Sequence, residues 1–235
     1  MAGGQAGLSA LAEPLLDRWL ADAELLAPRA GRDLWLSEGS LLLGGWSQEH
    51  RRYHTVEHLD EVLQALDELG AAGHLDARQA LLARTVGWFH DLHYDPRARP
   101  GSNEARSATM ARDHLHRLGV EDWAVDAVEA GVLMTQDHDA GAPHDAAEPA
   151  LLDAVHDADL WILSAPPERY ASYRRQVREE YAHLPEAVFR AGRAQIMGGF
   201  ARRARIYRTD HADEHWTARA RANLGAELAD LGGPV

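Results

Sequence analysis

Apolar residues recur along the chain at the spacing of helical faces. In the first clear run they fall at i, i+3, i+7, i+8 and i+11, and the run from Val56 to Leu66 has the same periodicity. The members of the first run are Leu8, Leu11, Leu15, Leu16 and Trp19. Further helices are predicted over residues 32–44, 77–90, 103–118, 121–137, 148–163, 167–183, 186–206 and 212–230. Strand-like alternation is nearly absent, so the pattern predicts an all-α fold.

The breaks between the helical segments are short and rich in glycine or proline. They lie at Gly70–Gly73, at the loop 96–101, at the segment 140–149 and at Pro166–Pro167. None of them is long or polar enough for an interdomain linker, and no internal repeat or low-complexity tract is present. We therefore predict one all-helical domain over residues 1–235.

Composition narrows the chemistry that this domain can perform. The chain has no cysteine, which excludes disulfides and thiolate metal sites, so any metal must bind imidazole and carboxylate. It has no lysine, which excludes Schiff-base mechanisms. With 24 basic and 37 acidic residues the net charge is −13, and we expect neither nucleic acid polymers nor anionic membranes as partners. No long apolar run and no secretory signal pattern is present, which predicts a cytoplasmic protein.

Histidine supplies the candidate chemistry. The chain has 14 histidines, and four short segments combine histidine with aspartate or glutamate. These segments are YHTVEH (53–58), FHDLHYD (89–95), MTQDH (134–138) and HDADL (156–160).

Two of these segments place histidines where a helix begins or ends. His90 and Asp91 follow directly from an apolar helix end, where a buried aspartate is costly unless it is paired or bound to a metal. Alternatively, His90 caps the helix and Asp91 starts a turn. His54 and His58 are four residues apart and share one helix face. They suit two metal ligands, one ligand with a neighbouring acid, or simply a polar face.

The segment LLDAVHDADLWIL carries aspartates inside an apolar helix. Asp159 lies beside the apolar run and needs a buried partner, which without lysine is an arginine or a metal. Asp157, by contrast, could point to solvent. His156 is either a core residue or a support for the site. Together, His58, His90, Asp91 and Asp159 form a set that suits Mn²⁺, Fe²⁺, Zn²⁺, Co²⁺ or Mg²⁺, with coordination positions left for water.

This ordered set of segments resembles the HD superfamily of metal-dependent phosphohydrolases, and most closely its small bacterial type. The matching segments are RRYHTVEHLDEV, GWFHDLHYD, SNEARSA, MTQDH, LLDAVHDADLWIL, VREEY and RIYRTD. They run in order from about residue 51 to residue 209. The resemblance implies an HD-type helical bundle, with a metal-site core over about 51–165 and a C-terminal helical extension over about 166–230.

The resemblance also implies roles for individual residues. His58, His90, Asp91 and Asp159 would bind one metal ion or two, and Asp91 would also orient the attacking water. The head of YHTVEH is similar to the signature of cyclic-nucleotide phosphodiesterases, which implies that His54, next to Tyr53, is the general acid.

Other positions in the matching segments have less defined roles. Glu104 and His138 would contact phosphate, position water or help to hold a second metal. Alternatively, Glu104 only complements the dipole of its helix. Arg106 and Arg178 are candidates for phosphate binding. His114 has the position in sequence of a second-metal ligand, although its helix is expected to be an exposed face.

The function that follows is the hydrolysis of a small phosphorylated molecule, such as a nucleotide or a related metabolite. Two alternatives stay open. One is an HD-fold di-iron oxygenase, in which extra histidines bind a second iron, and the other is a non-catalytic module that binds a metal or a ligand. Apolar helical surfaces also leave a homodimer open.

Overall fold

The fold comes from a computed structural model that describes residues 2–136 and 147–232, with side chains from residue 10 onward. Within these ranges the chain forms ten α-helices, a 3₁₀ helix and no strand, which confirms the predicted all-α class. The α-helices are α1 (Ala2–Leu26), α2 (Arg32–Trp46), α3 (Val56–Ala71), α4 (Ala77–Phe89), α5 (Ser102–Leu118), α6 (Asp122–Met134), α7 (Pro149–Asp159), α8 (Pro167–Glu180), α9 (Glu186–Arg202) and α10 (Asp210–Leu231). The 3₁₀ helix, Leu160–Ser164, follows α7 directly.

Local sequence signals set the helix ends that matter for function. Thr55 caps α3 by accepting a hydrogen bond from the N–H of Glu57, so α3 begins at Val56, two residues after His54. Asp76 and Gln79 form a capping box at the start of α4. At the other end of α4, the N–H of His90 still bonds to Val86 O, so His90 continues the helical path for one residue.

Helices α3 and α4 lie at the centre of the molecule. Helix α4 packs against α3, α6 and α7, and its C-terminal side chains Trp88 and Phe89 are completely buried. The contact with α6 is close because Gly131 has no side chain: a Cβ atom there would come within 2.5 Å of Val86. Among the described residues, no helix is both long and apolar enough to cross a membrane.

Asp157 corrects one expectation from the sequence, because its side chain is fully buried and does not face solvent. Its Oδ1 accepts a hydrogen bond from the backbone N–H of Arg208 (2.7 Å) and is 2.8 Å from Nδ1 of His156, itself a buried core residue. Its Oδ2 accepts hydrogen bonds from the N–H (2.8 Å) and the hydroxyl (2.7 Å) of Thr209. Asp157 thus ties α7 to the segment before α10, and the predicted helix 186–206 ends earlier, at Arg202.

Replacing Asp157 with alanine is expected to lower the free energy of unfolding by about 3 kcal/mol, because buried donors lose their acceptor. Chemical denaturation measures this loss. Asp153→Ala is the control, since Asp153 lies one helical turn earlier in α7 and its side chain is 36% exposed. A loss below about 1 kcal/mol for Asp157→Ala, or an equal loss for both variants, would contradict this structural role.

Candidate metal centre

Three helix ends converge to bring two histidines and one aspartate together. His58 lies in the first turn of α3, His90 follows the last residue of α4, and Asp159 is the last residue of α7. The Nε2 atoms of the two histidines are 3.2 Å apart. Asp159 Oδ1 lies 3.3 Å from Nε2 of His58 and 3.6 Å from Nε2 of His90. These three side chains form a group that could hold a metal ion.

The hydrogen bonds on the far side of each imidazole fit a bound cation. His90 Nδ1 donates to the carbonyl oxygen of Gly87 (2.9 Å), which in the neutral ring leaves the lone pair on Nε2. His58 Nδ1 lies 3.0 Å from the hydroxyl oxygen of Tyr53. When Nδ1 of His58 donates to that oxygen, both Nε2 lone pairs face each other beside a carboxylate. Such an arrangement is repulsive unless positive charge lies between the lone pairs, so the donor set fits a divalent cation.

Asp91 extends this group toward His54. Its Oδ2 lies 3.3 Å from Nε2 of His90 and 3.9 Å from Nε2 of His58. It also lies 3.8 Å from Nε2 of His54. Burial alone would raise the pKa of Asp91, but the attraction of His90 and His54 outweighs it and holds that pKa well below its usual value. Asp91 is therefore an ionised carboxylate between the metal-binding group and His54.

The two histidines of the metal-binding group differ in pKa. Burial dominates at His58 and lowers its pKa, although Asp159 acts in the opposite direction. Burial also opposes the charged form of His90, but Asp91 and then Asp159 raise the pKa of His90 to about 9. The carboxylates thus create a field that favours positive charge at this site, as a cation site requires.

Glu180 is the main functional candidate that the sequence did not single out. This side chain, at the end of α8, is completely buried. Its Oε1 accepts hydrogen bonds from the backbone N–H groups of Arg52, Tyr53 and His54, at 2.8, 2.9 and 3.0 Å. Its Oε2 is 2.7 Å from Nδ1 of His54 and accepts a hydrogen bond from the Tyr94 hydroxyl at 2.9 Å. One carboxylate therefore holds both the backbone and the ring of His54.

His54 is held in a fixed orientation with its Nε2 toward the metal-binding group. Its ring stacks on Tyr94, with 4.0 Å between ring centroids, and meets Tyr53 edge to face. Burial acts to lower the pKa of His54, but Glu180 and Asp91 outweigh it and raise that pKa. The same pairing, against the effect of burial, lowers the pKa of Glu180 to about 2. Glu180 and Asp91 therefore favour the protonated form of His54, which can donate a proton from Nε2.

Arg51 fastens the His54 segment to the end of α4. This arginine is 3% exposed, and its guanidinium donates to the carbonyl oxygens of His54 (2.9 Å), Asp91 (2.8 Å) and Leu92 (2.8 Å). Carbonyl groups at a helix C-terminus lack helical partners, and a cation stabilises them. Arg51 thereby links the backbone of the candidate acid, His54, to that of Asp91.

Two cavities adjoin this centre. The first, of about 240 Å³, has Asp91, Asp159 and Glu104 in its wall. The second is a groove of about 280 Å³ between α8 and α9, and its wall is mostly apolar. Both cavities share the same four residues: Tyr53, His54, Tyr173 and Tyr181. His54 thus lies at the junction of a polar cavity and an apolar groove.

The other predicted site residues differ in their positions. Glu104, in the first turn of α5, lines the polar cavity, whereas Arg106 is exposed on the same helix. Arg178 donates to Glu186 (2.8 Å) and to the carbonyl oxygens of Tyr181 (2.8 Å) and Leu184 (3.2 Å), so it stabilises the turn between α8 and α9. It does not line the polar cavity among the described residues, and the structure does not bring it to the metal-binding group.

Of the two extra histidines, His138 lies outside the described residues. His114 is paired with the buried carboxylate of Glu38, which also binds Arg117 (2.6 Å). Its ring packs against Phe89, and it does not belong to the metal-binding group found in the described part of the chain. The structure therefore places His114 in a side-chain network between α2 and α5.

Comparisons with protein-family models, with curated proteins and with solved structures found no match to this chain. The similarity to HD phosphohydrolases therefore stays a hypothesis that depends on the sequence segments and on the site geometry.

Proposed function

We propose that this protein is a metal-dependent phosphohydrolase of the HD type, acting on a small phosphoester. The observation that supports this most strongly is the position of His54. A partly buried imidazole, whose protonated form is favoured by its contact with Glu180, lies beside a His58–His90–Asp159 group that suits a cation. A purely structural metal site has no use for a second, unligated acid at its edge.

His58, His90 and Asp159 would hold the metal, with Asp91 as a further ligand or as the group that orients water. When bound, a divalent ion polarises phosphoryl oxygens and lowers the pKa of water toward neutrality. Imidazole and carboxylate ligands accept Mn²⁺, Fe²⁺, Zn²⁺, Co²⁺ or Mg²⁺, and the group would hold one ion, with Asp91 available to help hold a second.

The residues of the chain itself would handle the protons. His54 Nε2 lies 3.8 Å from Asp91 Oδ2 and His54 lines the polar cavity, so its proton would be available to a leaving oxygen in that cavity. Glu180 keeps the other ring proton on Nδ1 and stabilises the imidazolium form. Asp91, kept ionised, accepts a hydrogen bond from the attacking water. The proton donor, His54, and the carboxylate that orients the water, Asp91, thus lie close together.

The substrate that fits this site is small. A polar cavity of about 240 Å³ admits a phosphoryl group with a compact substituent, such as part of a nucleotide or a related cytoplasmic metabolite. Negative charge on the phosphate would be offset by the metal and His54, because the guanidinium of Arg178 is engaged in the α8–α9 turn.

The test is metal analysis combined with an assay of phosphoester cleavage. Purified protein is expected to bind at least one divalent ion per chain and to release product from members of a phosphoester panel. His54→Ala is expected to lower kcat by about 10²–10⁴-fold without changing the metal content, because the acid is lost but the ligands remain. His215→Ala, on the exposed surface of α10, is the control.

Other results would favour the alternatives. Two irons per chain with oxygen uptake and no phosphoester cleavage would favour the oxygenase, although the pairing of His114 with Glu38 removes one of its expected ligands. Bound metal without turnover of any ester would favour a binding module. Loss of metal in His54→Ala would overturn the separation of acid from ligand.

A further inference from the structure

The groove between α8 and α9 is an apolar surface that begins at the candidate acid. Besides the residues that it shares with the polar cavity, its wall is formed mainly by aliphatic and aromatic side chains. These are Val177, Leu184, Val188, Phe189 and Ile196. Val188 and Ile196 are 55% and 57% exposed, and they are two of the five large apolar side chains that the described part leaves exposed. Exposed apolar residues gathered in one concave surface indicate a binding site.

The polar groups at the base of this groove are engaged by the protein. Arg193 is the one arginine among the described residues of its wall. Its Nε donates to Glu227 (2.8 Å) and its Nη1 donates to the hydroxyl of Tyr173 (2.9 Å). Tyr170 also donates to Glu227. These bonds hold the polar groups of the groove in place. A ligand in the groove would therefore be recognised by its shape and by apolar contacts.

The position of His54 decides which part of a substrate would occupy the groove. The leaving oxygen must lie near His54 Nε2 in order to take its proton. Since the His54 ring lines both cavities, a substituent on that oxygen continues past the ring into the apolar groove. The phosphoryl group then stays on the side of Asp91 and Asp159.

Charge in the polar cavity limits the phosphate. Asp91, Glu104 and Asp159 line it, and its described wall contains no arginine. No arginine of the described wall offsets these carboxylates, so an ester with several phosphates would be repelled more strongly than an ester with one negative charge. A diester carries a single negative charge and therefore fits this acidic cavity better than an ester with several phosphates.

We propose that the groove binds the leaving group of the substrate, and that this substrate is a phosphodiester with an apolar leaving group. This inference rests on the proposed hydrolase function. In the reaction the phosphorus–oxygen bond to that group breaks as a bond to the oxygen of water forms. The leaving oxygen takes the proton of His54 Nε2. The attacking water releases a proton to solvent, and His54 regains its proton from solvent. The products are an apolar alcohol and a phosphomonoester.

The test compares two diesters, methyl 2-naphthyl phosphate and methyl phenyl phosphate, whose leaving phenols have similar acidity. The wild-type protein, loaded with Mn²⁺, is expected to prefer the naphthyl ester by about tenfold in kcat/KM, because the larger ring buries more apolar surface. The variant Gly192→Phe should reduce this preference to about unity. Gly192 lines the groove, and a Cβ atom there meets no other atom within 4 Å, so the backbone leaves room for a side chain to begin at the groove wall.

Gly225→Phe is the matched control, since Gly225 lies within α10, away from the groove lining, and a Cβ atom there also meets nothing within 4 Å. It should keep the naphthyl preference. Ile196→Asp is a second variant that makes the groove polar, at an exposed position that tolerates substitution. It should also lose the preference. Thermal unfolding confirms that each variant is folded.

Binding of 2-naphthol, followed by its fluorescence, separates the groove from the chemistry. It should bind to the wild type and to Gly225→Phe, and about tenfold more weakly to Gly192→Phe. Equal cleavage of both diesters, unchanged by Gly192→Phe, would overturn the groove proposal and leave the hydrolase function intact. Binding of 2-naphthol that depends on Gly192, without cleavage of either diester, would support an aryl site and overturn the proposed diester substrate; absence of cleavage across the whole phosphoester panel would overturn the hydrolase function as well.

Discussion

Asp159→Ala is expected to abolish metal binding, with a loss of affinity of more than about 100-fold. Asp159 is the carboxylate within 3.6 Å of Nε2 of both His58 and His90. Without it, Asp91 is the one carboxylate left beside the two imidazoles, so the site loses a ligand and half of the negative charge that balances a divalent ion. His58→Ala should have the same effect, because His58 supplies one of the two nitrogen ligands. Elemental analysis after dialysis measures the metal content of each variant.

Thermal unfolding provides an independent measure of the same site. A metal that binds only the folded protein stabilises it by about 2.7 kcal/mol at a free concentration 100 times the Kd. The wild type should therefore unfold at a higher temperature with Mn²⁺ than without it, and Asp159→Ala should show no such difference. Asp113→Ala, an exposed carboxylate on α5, should behave like the wild type. A full equivalent of metal in Asp159→Ala, with an unchanged thermal shift, would place the metal elsewhere.

Glu180→Gln is expected to lower kcat by about 100-fold at neutral pH while the metal content stays the same. A glutamine oxygen can still accept the backbone N–H groups of Arg52, Tyr53 and His54. Its amide nitrogen, however, donates, so His54 Nδ1 must accept and the ring becomes neutral. Glu180 is the first of the charged groups that raise the pKa of His54. Its loss should therefore move the fall in activity on the alkaline side to lower pH.

The same substitution should change the pH dependence of stability in a defined direction. The pKa of Glu180 is lowered from 4.5 to about 2, so its ionised form stabilises the fold above about pH 4.5 and this contribution is lost as pH falls toward 2. The raised pKa of His54 acts oppositely, since its contribution is complete below pH 6.5 and is lost as pH rises through its pKa in the folded protein. Wild type and Glu180→Gln should therefore differ most between about pH 4.5 and 6.5, by on the order of 2–3 kcal/mol.

Glu179→Gln is the matched control for Glu180→Gln. Glu179 is the preceding residue of α8, with a side chain 61% exposed and a weak ion pair to Arg52 at 3.8 Å. Its substitution should change neither the pH–rate profile nor the stability by more than about 0.5 kcal/mol. If both variants lose activity equally, the cause is the loss of negative charge on α8 and not the contact between Glu180 and His54. If Glu180→Gln alone also loses its metal, Glu180 acts on the fold of the whole centre.

Much of the fold followed from local chemistry. Apolar spacing at helical intervals predicted the helices, because a helix in a globular protein must bury one face. The position of His90 and Asp91 directly after an apolar helix end was informative for the same reason. An aspartate that follows buried residues such as Trp88 and Phe89 cannot face bulk solvent, so it needs a positive partner. The grouping of His58, His90 and Asp159 was thus within reach of the sequence.

What only the tertiary structure decided depends on contacts between distant segments. Asp157 and Asp159 are two positions apart, and from the sequence Asp157 was the one that could point to solvent. Asp157 is buried because the backbone of Arg208 and Thr209, some fifty residues later, folds back onto it. Likewise, nothing local distinguishes Glu180 from Glu179. Glu180 contacts His54, 126 residues earlier in the chain, because α8 ends beside the start of α3. Periodicity predicts which face of a helix is apolar, but the packing of helices determines which polar side chain meets its partner.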